Sequence, residues 1–149
     1  MAMIRLPNDF KDFLKLLNSN EVEYLVVGGY AVGYYGNPRS TGDLDIWVAV
    51  GPRNIQRLLG VLQEFGFSKD RLPSDLFQSH DQVVRMGIPP IRIEILTSIS
   101  GVKFEDCYAS RNTDTIDGVR VDLIDLENLK KNKRAAGRHK DLGDLEVLP

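Results

Sequence analysis

With 149 residues, 42% of them hydrophobic and 27% charged, the chain has the make-up of one globular domain, residues 1–149, large enough for its own core. The formal net charge of −2 argues against a broadly basic nucleic-acid surface while leaving room for a local one. The lone Cys107 excludes an internal disulfide or a cysteine-based zinc site, and no apolar run approaches the roughly 20 residues of a membrane span, so a cytoplasmic protein with no membrane partner is expected.

In chain order, residues 1–7 have no signal-peptide core. Asn8 is a candidate helix cap, and Phe10, Phe13, Leu14 and Leu17 follow at helical spacing until Asn18-Ser19-Asn20 ends the run. This helix is expected to pack on a sheet and carry no chemistry. Glu23 to Val27 reads as a buried strand running into Gly28-Gly29, with a short helix over 30–35. The glycine pair permits a tight turn because no side chain obstructs positive φ. Bare backbone N–H groups at the start of a helix favour phosphate. Residues 36–42 then form a loop, broken by Asn37-Pro38 and by glycines. Arg39 in that loop either meets a phosphate or is a surface charge.

Leu44, Ile46, Val48 and Val50 alternate with Asp43, Asp45, Trp47 and Ala49, which is strand period. Both carboxylates therefore share one face, about 6–7 Å apart at their Cα atoms. Two hard oxygen ligands at that spacing can hold Mg²⁺ together with substrate phosphates, or clamp two metals for in-line displacement at phosphorus. A glycine pair or an Asp-x-Asp alone is common on structural turns and solvated strands. The order of strand, Gly-Gly, short helix, arginine-bearing turn and Asp-x-Asp strand points to a phosphate–metal site.

Gly28-Gly29-Tyr30-Ala31 followed by Gly36, Arg39, Thr41, Asp43 and Asp45 resembles the signature of the nucleotidyltransferase superfamily that includes DNA polymerase β. Within it the stretch is most similar to the AbiEii-type toxins and their small relatives. The resemblance implies an α/β (α+β) polymerase β-like fold, with a mixed central sheet, flanking helices and a C-terminal helical segment over about 125–149. It implies transfer of a nucleotidyl group from an NTP to a hydroxyl acceptor with release of pyrophosphate, assisted by Mg²⁺ or Mn²⁺. Gly28, Gly29 and Thr41 would hold the phosphates, and Asp43 and Asp45 the metal.

Pro52 suits the first turn of a helix whose stripe is Ile55, Leu58, Leu59, Leu62 and Phe65, ended by Gly66. Residues 68–80 are the least legible, with one helical turn expected at Asp75-Leu76-Phe77. His80 and His139 stand apart from any cluster and read as surface or capping groups. Residues 82–86 form a short strand and 91–96 an alternating one, with Ile91, Ile93 and Ile95 on one face and Arg92 and Glu94 on the other. Glu94 is either a solvated residue of a half-exposed sheet or, by resemblance, the third catalytic and metal-binding carboxylate, where relatives usually carry aspartate.

A helix is expected over 102–108, then a hairpin turning at Asp117-Gly118, with Asp122 in a surface pair with Arg120. Asp125 can cap a helix from Leu126 to about Ala136; Gly137 breaks it, and a second runs from His139 to Leu148. Lys133 falls on the apolar stripe, where it either snorkels outward or faces a charged site, and an apolar substitute there is expected to be tolerated. Lys133-x-x-Ala136-x-Arg138-x-x-Asp141-x-x-Asp144 resembles the C-terminal motif of the AbiEii-type relatives. That resemblance implies phosphate contact by Lys133, with Arg138 and Asp141 at the nucleotide. The alternative is a solvated basic helix with Lys133–Asp141 or Arg138–Asp141 pairing.

The acceptor stays open among a tRNA 3′ end, a hydroxyl of a partner protein and a small hydroxylated molecule such as an antibiotic. The Lys/Arg-rich 130–140 stretch favours RNA or phosphate contact. The family likeness suggests a toxin–antitoxin setting with a cognate toxin or antitoxin. A reading from another class is an antitoxin-like module that binds NTP or a partner without transfer.

Overall fold

The computed structural model describes residues 4–36, 42–73, 75–88 and 91–149. Its centre is a six-stranded mixed sheet: β1 (Tyr24–Val27), β2 (Asp43–Val48), β3 (Val83–Ile88), β4 (Ile91–Leu96), β5 (Asn112–Ile116) and β6 (Val119–Leu123), in the order β3-β4-β2-β1-β6-β5. The β1–β6 and β2–β4 pairs are parallel and the others antiparallel.

Strand alternation assigns the two faces. Tyr24, Val26, Leu44, Ile46, Ile93, Ile95, Val121 and Leu123 point into the larger core, which is covered by α1 (Asn8–Ser19) and α3 (Pro52–Phe65). Leu25, Val27 and Trp47 point to the opposite face. There they pack with Ala31 and Val32 of α2 (Gly28–Tyr35), Cys107 of α4 (Phe104–Ala109) and Leu129 of α5 (Leu126–Ala136). The last helix, α6 (His139–Val147), packs on α5. The second face is the one that receives Asp43 and Asp45, because they alternate with the core residues Leu44 and Ile46.

Several local details differ from the sequence expectations. The first helix is capped by Pro7, whose carbonyl accepts from the Lys11 N–H, so Asn8 is already helical and makes no side-chain cap. The turn over 75–77 is not helical. Phe77 adopts a left-handed φ of 65° there with its ring fully buried, so tertiary burial overrides local preference. The Asp117-Gly118 hairpin forms with positive φ at both residues, as a type I′ turn requires. Asp117 also accepts from the Leu6 N–H at 3.0 Å and pairs with Lys11 at 3.1 Å, tying the start of the chain to the hairpin. Asp122 is not a surface group. It does face Arg120, at 3.6 Å, yet it is buried, because Arg111 and Thr113 close over it.

Candidate active site

The β1–α2 junction provides the floor. Strand β1 ends at Val27 and α2 begins immediately at Gly28, so the first backbone N–H groups of the helix sit where the strand stops. Gly28 has φ +68°, and a Cβ there would collide with Asp45 Oδ2. Glycine is required on both counts: the left-handed backbone and the approach of a carboxylate.

Register assembles the acids. Asp45 of β2 lies opposite Val27 of β1 on one side and Glu94 of β4 on the other, while Asp43 lies opposite Arg92. The three carboxylates thus reach one face from two neighbouring strands. The Asp45 carboxyl is pushed up to about 7, first by burial, then by the charge of Glu94 and a hydrogen bond with it, then by Asp43; Lys140 pulls the other way. Its Oδ1 is buried with no hydrogen-bond partner. A buried acid held this far above its ordinary range has a deficit of nearby positive charge.

Arg92 lies among these acids. Its Nε and guanidinium NH₂ donate to the two oxygens of Asp43 at 3.3 and 3.0 Å, and the same NH₂ stands 3.5 Å from Glu94. Arg85 of β3 donates to Glu94 from the rim at 3.0 Å. Among the described residues, no three acidic, histidine or cysteine side chains are gathered as a metal-holding group. The expected triad of Asp43, Asp45 and Glu94 shares one face, with Asp45 hydrogen-bonded to Glu94. Arg92 pairs with Asp43 and Glu94, and Arg85 pairs with Glu94. The donor chemistry itself fits a hard divalent cation: all three groups are carboxylates, and Asp45 carries an unsatisfied buried oxygen.

The C-terminal helices make the opposite wall. Asp125 caps α5 by accepting from the Asn128 N–H at 3.2 Å, and Gly137, in the left-handed region, ends it. This places Lys133 on the inner side of α5 against α6. Its Nζ lies 3.1 Å from Asp144 and 3.3 Å from Asp141, with the three residues 4%, 2% and 1% exposed. Arg138 donates from Nε to Asp141 at 2.7 Å, and this bond is the main reason the Asp141 carboxyl falls to about 2. Lys133 therefore faces a charged site and does not snorkel.

Between the walls lies a cavity of about 400 Å³ bounded by Gly28, Gly29, Asp45, Lys133, Arg138, Lys140 and Asp141. Its remaining lining includes Leu96, Ser98, Ile99, Ser100 and Asn132. Gly28, Gly29, Asp45, Lys133, Arg138 and Asp141 were all expected from the sequence, and the fold brings them to this one cavity. Asp43 and Glu94 lie beside Asp45 but do not line it. Arg39 and Thr41 lie outside the described residues. Lys140 falls within the basic 130–140 stretch without being singled out there, and the Ser98–Ser100 segment escapes the sequence reading. Lys140 is a position that the C-terminal motif leaves unspecified, and the serines follow β4 with no spacing signal of their own.

No protein-family model matches the chain, and no curated protein matches it in sequence. Solved structures do match. A protein of Thermotoga maritima proposed to be a nucleotidyltransferase superposes with a TM-score of 0.62 at 18% identity, over 92% of this chain and 88% of its own. An antigenic nucleotidyltransferase-like protein of Paracoccidioides brasiliensis gives 0.56 at 20% identity, over 93% of this chain and 72% of that one. The lincosamide antibiotic adenylyltransferase LnuA, bound to lincomycin, gives 0.56 at 12% identity, over 95% of both chains. The chain thus has the nucleotidyltransferase fold. No helix among the described residues is long and apolar enough to cross a membrane.

Proposed function

We propose that this protein is a nucleotidyltransferase that moves a nucleotidyl group from an NTP to a hydroxyl acceptor. The observation that carries the reading is the shared cavity. The N-terminus of α2 at Gly28-Gly29, the carboxylate of Asp45 and the cations Arg138 and Lys140 border one space. A triphosphate needs backbone donors, basic side chains and a metal carboxylate at its reacting end, and these groups meet that requirement. Asp43, Asp45 and Glu94 would hold Mg²⁺ or Mn²⁺. When bound, the metal supplies charge neutralisation at the α-phosphate and activation of the acceptor hydroxyl.

The chain's own groups do the rest. Gly28 and Gly29 offer N–H groups to the β- and γ-phosphates, and Arg138 and Lys140 neutralise them from the facing wall. The acceptor oxygen bonds to the α-phosphorus, the bond to the bridging oxygen breaks, and pyrophosphate leaves with that electron pair. The hydroxyl proton goes to the Asp45–Glu94 carboxylate pair.

Two cations of the C-terminal motif have different duties in this scheme. Lys133 is already paired with both Asp141 and Asp144, so it latches α6 to α5. Lys140, exposed and near enough to Asp45 to lower its pKa, is the phosphate contact. Lys140→Met is expected to weaken MgATP binding about 10-fold, the effect of one charge-assisted contact, without lowering the melting temperature. Calorimetric titration with MgATP checks this; unchanged affinity would return the phosphate role to Lys133.

For the acceptor we favour a macromolecular hydroxyl, a tRNA 3′ end or a partner protein in a toxin–antitoxin pair within the cytoplasm; the basic 130–140 stretch supports RNA, and the motif resemblance to the AbiEii-type toxins supports the toxin–antitoxin setting. A small hydroxylated antibiotic is the second reading, supported by the match to LnuA over 95% of each chain. One screen separates them. The protein is incubated with each of the four NTPs, labelled at the α-phosphate, together with Mg²⁺ and total RNA, cell lysate or a panel of hydroxylated antibiotics. Label is expected in a single class of acceptor. No label in any fraction, with no rise in melting temperature on adding Mg²⁺ and NTP, would defeat the transferase reading.

A further inference from the structure

Three acidic groups from two strands share one face, and Arg92 is the guanidinium that pairs with two of them. Arg92 reaches both Asp43, its direct partner across the β2–β4 ladder, and Glu94, two residues along its own strand. Both relations are fixed by the sheet: cross-strand partners lie side by side, and residues i and i+2 share a face. The fork geometry then lets Nε and NH₂ take both oxygens of Asp43 while NH₂ stays within 3.5 Å of Glu94. Asp43 and Glu94 are the acids a metal would need besides Asp45.

We propose that Arg92 is a built-in counter-cation of the carboxylate site, one that a divalent ion must displace to reach Asp43 and Glu94. This rests on the reading of Asp43, Asp45 and Glu94 as the metal ligands. A guanidinium is charged at every accessible pH and binds carboxylate through a planar fork, so it is an effective occupant of such a site. It cannot stand in for the metal in the reaction, since it has only donors to offer and no open coordination position. While the fork is closed, two of the three ligand groups are engaged. Apparent metal affinity then falls in proportion to the fraction of molecules whose fork is open. Arg85 is the natural control. It lies on the same Glu94, 60% exposed against 30% for Arg92, and among the described residues no ion pair joins it to Asp43.

The test uses the intact chain and Mn²⁺ alone, with free Mn²⁺ followed by electron paramagnetic resonance. Arg92→Gln is expected to tighten Mn²⁺ binding by about 10-fold or more, as expected if nine molecules in ten hold the fork closed. Arg92→Lys keeps the charge but loses the fork, and is expected to tighten it by a smaller factor, about 3-fold. Without metal, Arg92→Gln should melt lower than the parent, and Mn²⁺ should raise its melting temperature more than the parent's. Unchanged or weaker Mn²⁺ binding in Arg92→Gln would overturn the proposal and make Arg92 an orienting group for the acids. So would an equal tightening in Arg85→Gln, which would reduce the effect to general charge. If Arg92→Gln does not fold, Arg92→Lys decides by the same sign. Failure of the parent and every variant to bind Mn²⁺, with or without ATP, would remove the metal site itself, and the transferase reading would fall with this one.

Discussion

Lys133→Met is expected to cost the fold about 3–5 kcal/mol, the range found when one partner of a buried ion pair is removed. The sequence alone suggested the opposite, since an apolar chain on an apolar stripe should be harmless. The difference lies in what Lys133 faces. Its ammonium is within 3.3 Å of two carboxylates that are themselves 1% and 2% exposed, and methionine would leave that negative charge buried without it. Arg138 stays on Asp141 but reaches it from the solvent side, being 71% exposed, so it does not replace the ammonium. Urea unfolding of Lys133→Met, and of Lys133→Met with Asp144→Asn, measures the effect. The second change is expected to restore at least half of the loss; a loss below about 1 kcal/mol in the single variant would contradict a latch role. The same cluster sets a limit at low pH. The folded value of Asp141, about 2, lies below the ordinary 3.8, so its contribution is full above about pH 4 and is lost as pH falls towards 2.

Asp45→Asn is expected to abolish transfer while making the metal-free protein more stable. Activity should fall by at least about 10²-fold, since the group that would bind the metal beside the α-phosphate is gone. Stability should rise because Asp45 is a burden in the absence of metal. Its carboxyl titrates near 7 in the fold against 3.8 when exposed, so the folded state holds its proton longer than the unfolded one. The sign follows from linkage: such a group erodes stability as pH rises from about 4 to about 7 and contributes a constant penalty above that. The asparagine variant should lose this slope and melt about 3 °C or more above the parent at pH 8, equivalent to about 1 kcal/mol. In the parent, metal binding must expel the Asp45 proton, so Mg²⁺ affinity should increase up to about pH 7 and level off beyond it. Thermal melts at pH 5 and pH 8 test the first claim, and Mg²⁺ titrations over the same range the second. Equal pH slopes in parent and variant would show that Asp45 ionises normally.

The sheet and its two faces were legible because alternation is a local property. Leu44 and Ile46 against Asp43 and Asp45, or Ile93 and Ile95 against Arg92 and Glu94, need no knowledge of the rest of the chain. The glycine pair was legible for a similar reason, as a strand that stops at a helix start leaves few other residues possible. Partnerships between elements were not legible. Nothing in the sequence sets Asp43 opposite Arg92 in place of Glu94; register does, and register depends on how β2 meets β4. Lys133 shows the same limit in a helix. Its position on the stripe of α5 was apparent, but whether the stripe met lipophilic groups or the acids of α6 depended on tertiary packing. The burial of Asp122 was not legible, because exposure of a polar strand face depends on what covers it, and here Arg111 and Thr113 do.

The strand order has a consequence for synthesis on the ribosome. Strand β1 lies between β2, which follows it closely in the chain, and β6, whose arrival is marked by a hydrogen bond from the Asp122 N–H to the Tyr24 hydroxyl across 98 residues. At about 5–20 residues per second, the far edge of Tyr24-Leu25-Val26-Val27 therefore waits on the order of 5–20 s for its partner. During that interval an apolar strand presents an unpaired row of backbone donors and acceptors, the feature that most readily recruits a foreign strand. Gly28 and Asp45 can already meet across the β1–β2 pair at this stage, whereas the wall formed by α5 and α6 is still to be made. The nascent chain thus has its carboxylate floor in place while its most aggregation-prone edge is still open, and rare codons or chaperone scarcity between residues 50 and 120 would affect yield more than the same delay near either end.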